Sequence, residues 1–128
     1  MEIIDVQKKS DGLNVTLRAV PMGADWCVAI TGGEIPHLGA VALGVPRPSL
    51  QDSGRTSATV SVLTLTGHKE DEIARPAAYF LASRLKTPVV VSCGIHNDQI
   101  EPGTIRRFVE LVQEGLNELA LACGRLQG

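Results

Sequence analysis

TPVVVSCGI, residues 87–95, is apolar almost without a break and rich in β-branched side chains. A strand that is hydrophobic at consecutive positions is one buried on both faces, the pattern of an interior strand beside a crossover connection. Just before it, residues 69–86 place Ile73, Ala77, Phe80, Leu81 and Leu85 on one helical stripe. Pro76 interrupts that stripe, so the helix either kinks there or starts late enough to put Pro76 in its first turn. Upstream again, Ala58–Thr66 is the longest β-branched stretch of the chain. Strand, helix and strand form a βαβ crossover of sufficient length, which predicts that Ala58–Thr66 and Pro88–Ile95 run parallel. Downstream, Ile105, Phe108, Val109, Val112, Leu116, Leu119, Ala120 and Cys123 recur with a 3.6-residue period and predict a long closing helix.

The first half of the chain has a different texture. Ile3, Ile4 and Val6 suggest a strand closed by Lys9-Ser10-Asp11-Gly12, where Asp-Gly is a strong hairpin signal. Leu13, Val15, Leu17 and Ala19 alternate with polar residues as a half-buried second strand. Pro21-Met22-Gly23 turns into a third at Trp26–Ile30, and His37–Val45 reads as a fourth. Short connections predict antiparallel pairing here. The expected fold is therefore α/β (α+β): one domain over residues 1–128, with a mixed, mainly antiparallel sheet of about six strands, a C-terminal βαβα unit and helices packed on the sheet.

Composition narrows the function. The chain has 128 residues, 44% hydrophobic and 20% charged, values of a folded globular protein rather than a disordered one. A net charge of -2 argues against nucleic acid as the main partner, and aromatics at 3% are too few for a base-stacking platform. No apolar run approaches the roughly 20 residues of a membrane span, so no membrane partner is expected. The opening MEIIDVQKKS has no apolar core and does not read as a signal peptide. Cys27, Cys93 and Cys123 form neither a CxxC pair nor a disulfide framework, which points to a reduced, cytoplasmic setting. Cys93, inside the apolar strand, is expected to be an inert core thiol.

His37, His68 and His96 are the only histidines. His68 and His96 follow the two strands of the crossover, so parallel strands would put both at carboxyl ends, the edge where open α/β sheets bind ligands. If the fourth strand pairs antiparallel with Ala58–Thr66, His37 at its start reaches the same edge. Three imidazoles would then converge, with Asp71 and Asp98 behind them, as a candidate metal or ligand site. Each is also an ordinary strand-end residue taken alone, because no HxH, HxxxH or HExxH spacing is present.

A long polar loop, VPRPSLQDSGRTS, carries Arg47 and Arg55 with Ser49, Ser53, Gly54, Thr56 and Ser57, a set suited to a phosphate or carboxylate. It should lie at the opposite end of the sheet from the histidines, reaching them only by folding back or from a second subunit. Arg75, before Pro76, either pairs with Glu70, Asp71 or Glu72 or offers a further anion contact. No GxGxxG, GxxxxGK[ST] or GxSxG is present, so dinucleotide, P-loop and α/β-hydrolase chemistry have no support.

GGEIPHLGAVALGVPRPS, TSATVSVLTLTGHKEDEIARP and PVVVSCGIHNDQI, separated and in order, resemble the LpdD-like domain, small accessory proteins of UbiD-type decarboxylases described as prenylated-flavin chaperones. The resemblance covers roughly residues 25–118. It implies a cytoplasmic homo-oligomer that binds prenylated FMN (prFMN) and assists a UbiD-type decarboxylase without performing decarboxylation. The family motifs fall on His37, His68 and His96 and on Arg47, Arg55 and Arg75, which become the candidate flavin contacts. The three histidines could hold a divalent metal against the phosphate, with Leu38, Val41 and Trp26 as part of an apolar wall. Two alternatives stay open: a small metalloenzyme, lyase or hydrolase, built on three histidines and a water, and a structural decarboxylase subunit. Uncovered edge strands further predict a dimer or higher oligomer.

Overall fold

A computed structural model describes residues 2–65, 70–96 and 101–127. Its elements are β1 (Ile4–Ser10), β2 (Leu13–Met22), β3 (Asp25–Gly33), β4 (Ala40–Pro48), β5 (Thr56–Thr64), α1 (Asp71–Leu85), β6 (Val89–His96) and α2 (Pro102–Gln127). The strands form one six-stranded sheet in the order β1-β2-β3-β6-β4-β5. Every pairing is antiparallel except β3 with β6.

Local chemistry accounts for the boundaries. Asp11 and Gly12 both take positive φ (54° and 79°), the conformation a two-residue hairpin needs to match strand twist. Gly23 (φ 62°) turns β2 into β3, so β2 continues through Pro21 and Met22, which lie beyond the last β1 partner. The apolar run of β6 sits between β3 and β4, where both of its ladders are satisfied. β5 and β6 run in the same direction, as the crossover predicts, but they are not neighbours. β4 lies between them, antiparallel to each.

α1 starts at Asp71, so Pro76 lies inside the helix rather than in its first turn, and the late-start alternative fails. The helix ends at Lys86, left-handed at φ 58°, whose N–H donates to the Ala82 carbonyl at 2.9 Å. Ala74, Ala77, Ala78 and Ala82 face the sheet, allowing a close approach: a Cβ on Gly44 of β4 would meet the Ala78 carbonyl. α2 packs on β1, β2 and α1. Its buried face is Phe108, Leu111, Val112, Gly115, Leu116, Leu119, Ala120 and Cys123. Ile105 and Val109, expected on that face, are 40% and 45% exposed because the apolar stripe drifts around the helix toward Leu111 and Gly115.

Both helices cover the same face. Leu17, Ile30, Val91, Leu81 and Leu119 are fully buried between the layers, each contributing roughly 1.5–3 kcal/mol over an exposed position. The other face carries no helix among the described residues. Across its middle run Arg18, Ala29, Ser92, Val41 and Leu63, aligned by register. No described helix is long and apolar enough to cross a membrane.

Candidate functional site

The carboxyl end of β6 is assembled by backbone contacts that exclude side chains. Residues 34–39 cross over this end. Glu34 N–H donates to the His96 carbonyl at 2.7 Å, and Gly39 N–H donates to the Cys93 carbonyl at 2.8 Å. The His37 carbonyl lies directly against Gly94, where any Cβ would overlap it, and the His96 carbonyl lies in the same way against Gly33, at φ 79°. Only glycine accepts these approaches.

This crossing places His37 and His96 together, ring centroids 5.7 Å apart and edge to face at 86°. The histidine edge therefore forms for these two. His68 and Asp98 lie outside the described residues, and of Asp71 only the backbone at the start of α1 is described. Behind His37 stands Glu70, 7% exposed, with Oε1 2.9 Å from His37 Nε2. The other ring nitrogen, Nδ1, is 3.4 Å from the Ile35 carbonyl. Glu70 caps α1, and its carbonyl accepts from the N–H groups of Ile73 and Ala74 at 3.0 and 2.7 Å. Its carboxylate packs against Gly39, so a third glycine opens room for a functional side chain. A buried carboxylate at a helix N-terminus benefits from the helix dipole and fixes the imidazole it touches.

Glu70 is the residue that sequence reasoning missed. Glu70, Asp71 and Glu72 form one acidic run, and nothing in the run marks which acid turns inward. Cys93 follows expectation: it is 1% exposed, and burial, with the Glu70 charge adding to it, pushes its thiol up to about 12.

No group of three or more His, Cys, Asp or Glu side chains that could hold a metal ion occurs among the described residues. His37 Nε2 is engaged by the Glu70 carboxylate instead. Trp26, expected in the apolar wall, is 4% exposed and opposite Val89 at the start of β6, inside the helix-covered core. Leu38 is 52% exposed near the histidines, and Val41 lies beside Ser92 on the uncovered face.

The arginines do not gather here. β4 and β5 keep one register from Ala40↔Thr64 to Pro48↔Thr56, so the loop lies roughly 26 Å along the strands from the histidine end. Arg47 donates to Thr59 Oγ1 at 2.9 Å and to the Pro48 carbonyl at 3.1 Å, while Arg55 is exposed. The loop uses some of its own donors: Gln51 N–H donates to Ser49 Oγ, and Gly54 N–H to Asp52 Oδ1. Arg75 is exposed on α1, where with Ala58, Val60, Pro76, Tyr79, Phe80 and Gln113 it lines a groove of about 550 Å³.

The described residues thus form a two-layer α+β domain whose second sheet face carries no helix, with two imidazoles at one end of it. Residues 9–123 match the sequence profile of the prenylated flavin chaperone LpdD-like domain, and the chain belongs to that family. Comparison with curated proteins returns no match. Among solved structures it is similar to a chain in the crystal structure of a chaperone complex for yeast 20S proteasome assembly. The TM-score is 0.59 and the identity 18%, over 96% of this chain and 98% of that one, a likeness of fold.

Proposed function

We propose that this protein is a cytoplasmic carrier of prFMN that supplies a UbiD-type decarboxylase and does not itself turn over substrate. Membership of the prenylated flavin chaperone family supports the cofactor, and the His37–Glu70–His96 cluster beside the bare sheet face supports where it binds. The bound flavin supplies a redox-active ring and an anionic phosphate. His37 and His96 are hydrogen-bond partners for its polar groups, and Glu70 holds the His37 ring in place. Val41 and the small side chains of Ala29 and Ser92 leave room for a ring on the uncovered face, and Leu38 is exposed near the histidines. With so few aromatics that face holds a ring without strong stacking, which suits a carrier that must release its cargo. His68, Arg47, Arg55 and Arg75 stay candidate contacts on the family resemblance, with the arginine loop reaching the histidine end only from a second subunit. The described residues do not by themselves support a metal ion, so the proposal assigns the histidines to direct contact.

Flavin fluorescence titration with FMN and prFMN, each with and without divalent metal, tests the reading. Metal-independent binding of prFMN, weakened by His37→Ala and His96→Ala, is the expected outcome. Binding that requires metal and is lost in His68→Ala would replace direct contact by a metal bridge. Failure of both flavins to bind would end the carrier reading.

A further inference from the structure

The two outer edges of the sheet are built differently. β1 carries Asp5, Lys8 and Lys9 within its seven residues, charges that discourage another strand from pairing. β5, TSATVSVLT, contains no charge, proline or glycine. The ladder phase shows which of its main-chain groups are bare. The Arg55 carbonyl accepts from Ser49 N–H, and Leu65 N–H donates to the Gly39 carbonyl, both at 2.9 Å, and the register between them is unbroken. Odd-numbered residues therefore aim their N–H and C=O groups at β4. Those of Thr56, Ala58, Val60, Val62 and Thr64 point away from the sheet, and no other strand among the described residues pairs with them. Beside this edge, Ala58 and Val60 line the apolar groove with Pro76, Phe80 and the half-exposed Tyr79.

We propose that β5 pairs antiparallel with β5 of a second copy, about a two-fold axis at Val60, and that this brings the arginine loop of each chain to the histidine end of the other. The bare groups are symmetric about Val60, so the edge is complementary to itself, as a two-fold interface requires. In this register Val60 faces its own copy, Thr59 faces Ser61 and Thr56 faces Thr64. Each outward residue then exchanges main-chain hydrogen bonds with the partner strand, and the flanking grooves supply apolar side chains to bury. The partner's Arg55 would enter beside Leu65, three strand spacings or about 14 Å from the end of β6, instead of the roughly 26 Å that separates them within one chain. Both sets of candidate residues thus belong to one composite site. The strand pairing stands on the sheet alone, and only the flavin at the composite site rests on the function proposed above.

Sedimentation at micromolar concentration tests the pairing, with a mass of twice 13.6 kDa expected. Val60→Pro removes an outward N–H and leaves the β4 ladder intact, so it should sediment as a monomer with unchanged far-ultraviolet circular dichroism. Because proline could also disturb β5 itself, a cross-link provides an independent reading. In a Cys27→Ser background, mixed Thr59→Cys and Ser61→Cys chains should form a disulfide dimer under mild oxidation that neither forms alone. A monomeric wild type, a folded Val60→Pro dimer, or a mixture that cross-links no better than its components would each overturn the proposal. Mixed His37→Ala and Arg55→Ala chains should bind flavin more tightly than the His37→Ala chain alone, because one site of the mixed dimer keeps both His37 and the partner's Arg55. A wild type that dimerises through β5 but binds no flavin would refute the carrier reading and leave the pairing intact.

Discussion

The histidine end of the sheet and the arginine end solve different problems with the same strands. At the histidine end, residues 34–39 are laid onto β6 through Gly33, Gly39 and Gly94, with a buried Glu70 wedged behind, so the imidazoles stand on closely packed backbone. At the arginine end, β4 and β5 diverge into an exposed loop tied by its own short bonds from Ser49 and Asp52. Substitution is costly at the first, where backbone fills the space a side chain would need, and tolerated at the second, where Gly54 meets only Asp52 Oδ1. The carrier proposed above would use both: a packed platform to orient its cargo, and exposed loop charges to meet an anion.

The largest effect should come from breaking the platform. Gly94→Ala puts a methyl into the His37 carbonyl and is expected to cost about 3 kcal/mol, at the upper end for overpacking because backbone must move. Gly54→Ala, at the tolerant end, meets only Asp52 Oδ1 at 3.4 Å and should stay within about 0.5 kcal/mol. Urea unfolding of the pair measures the contrast, and equal costs would break it.

Next, His37→Ala should weaken prFMN binding about ten- to a hundredfold, and Glu70→Gln roughly tenfold through the loosened ring, both read by fluorescence titration. Arg55→Ala should cost less than either, with a steeper loss of salt sensitivity, because an exposed cation is screened. An Arg55 effect larger than that of His37 would reverse the ranking of the two ends.

The smallest signal is chemical. Burial holds Cys93 up to about 12 and Cys123 up to about 11, whereas Cys27 is half-buried on the uncovered face. Iodoacetamide at pH 8 should label Cys27 and spare the other two, and a bound flavin on that face should slow the Cys27 reaction. Raised thiols contribute stability that is complete below pH 9 and declines as pH rises toward about 12. Cys93→Ala should flatten that alkaline decline in urea unfolding.

Much of this was legible in residue order. The Asp11-Gly12 turn, the apolar β6 and the long α2 each have a local signature, and the directions of β5 and β6 followed from the crossover. His37 and His96 could be brought to one edge because strand direction alone decides which ends coincide. Strand order was not legible: consecutive β3 and β4 gave no sign that β6 separates them. Nor was Glu70, since choosing among three adjacent acids depends on where residues 34–39 cross. Leu111 and Gly115 were overlooked because the helical stripe was projected straight along α2.

The position of β6 has a consequence for how this chain is made. Synthesis delivers β1–β3 as one meander and β4–β5 as a separate hairpin, each with a raw edge waiting for a strand that comes sixth of six. Until β6 emerges and inserts, neither half can close, and the distant pairing makes that step slow. The nascent chain is therefore most vulnerable to aggregation in the interval before residue 96 clears the ribosome. A single late strand closes the two inner edges and leaves only the outer edges of β1 and β5 open.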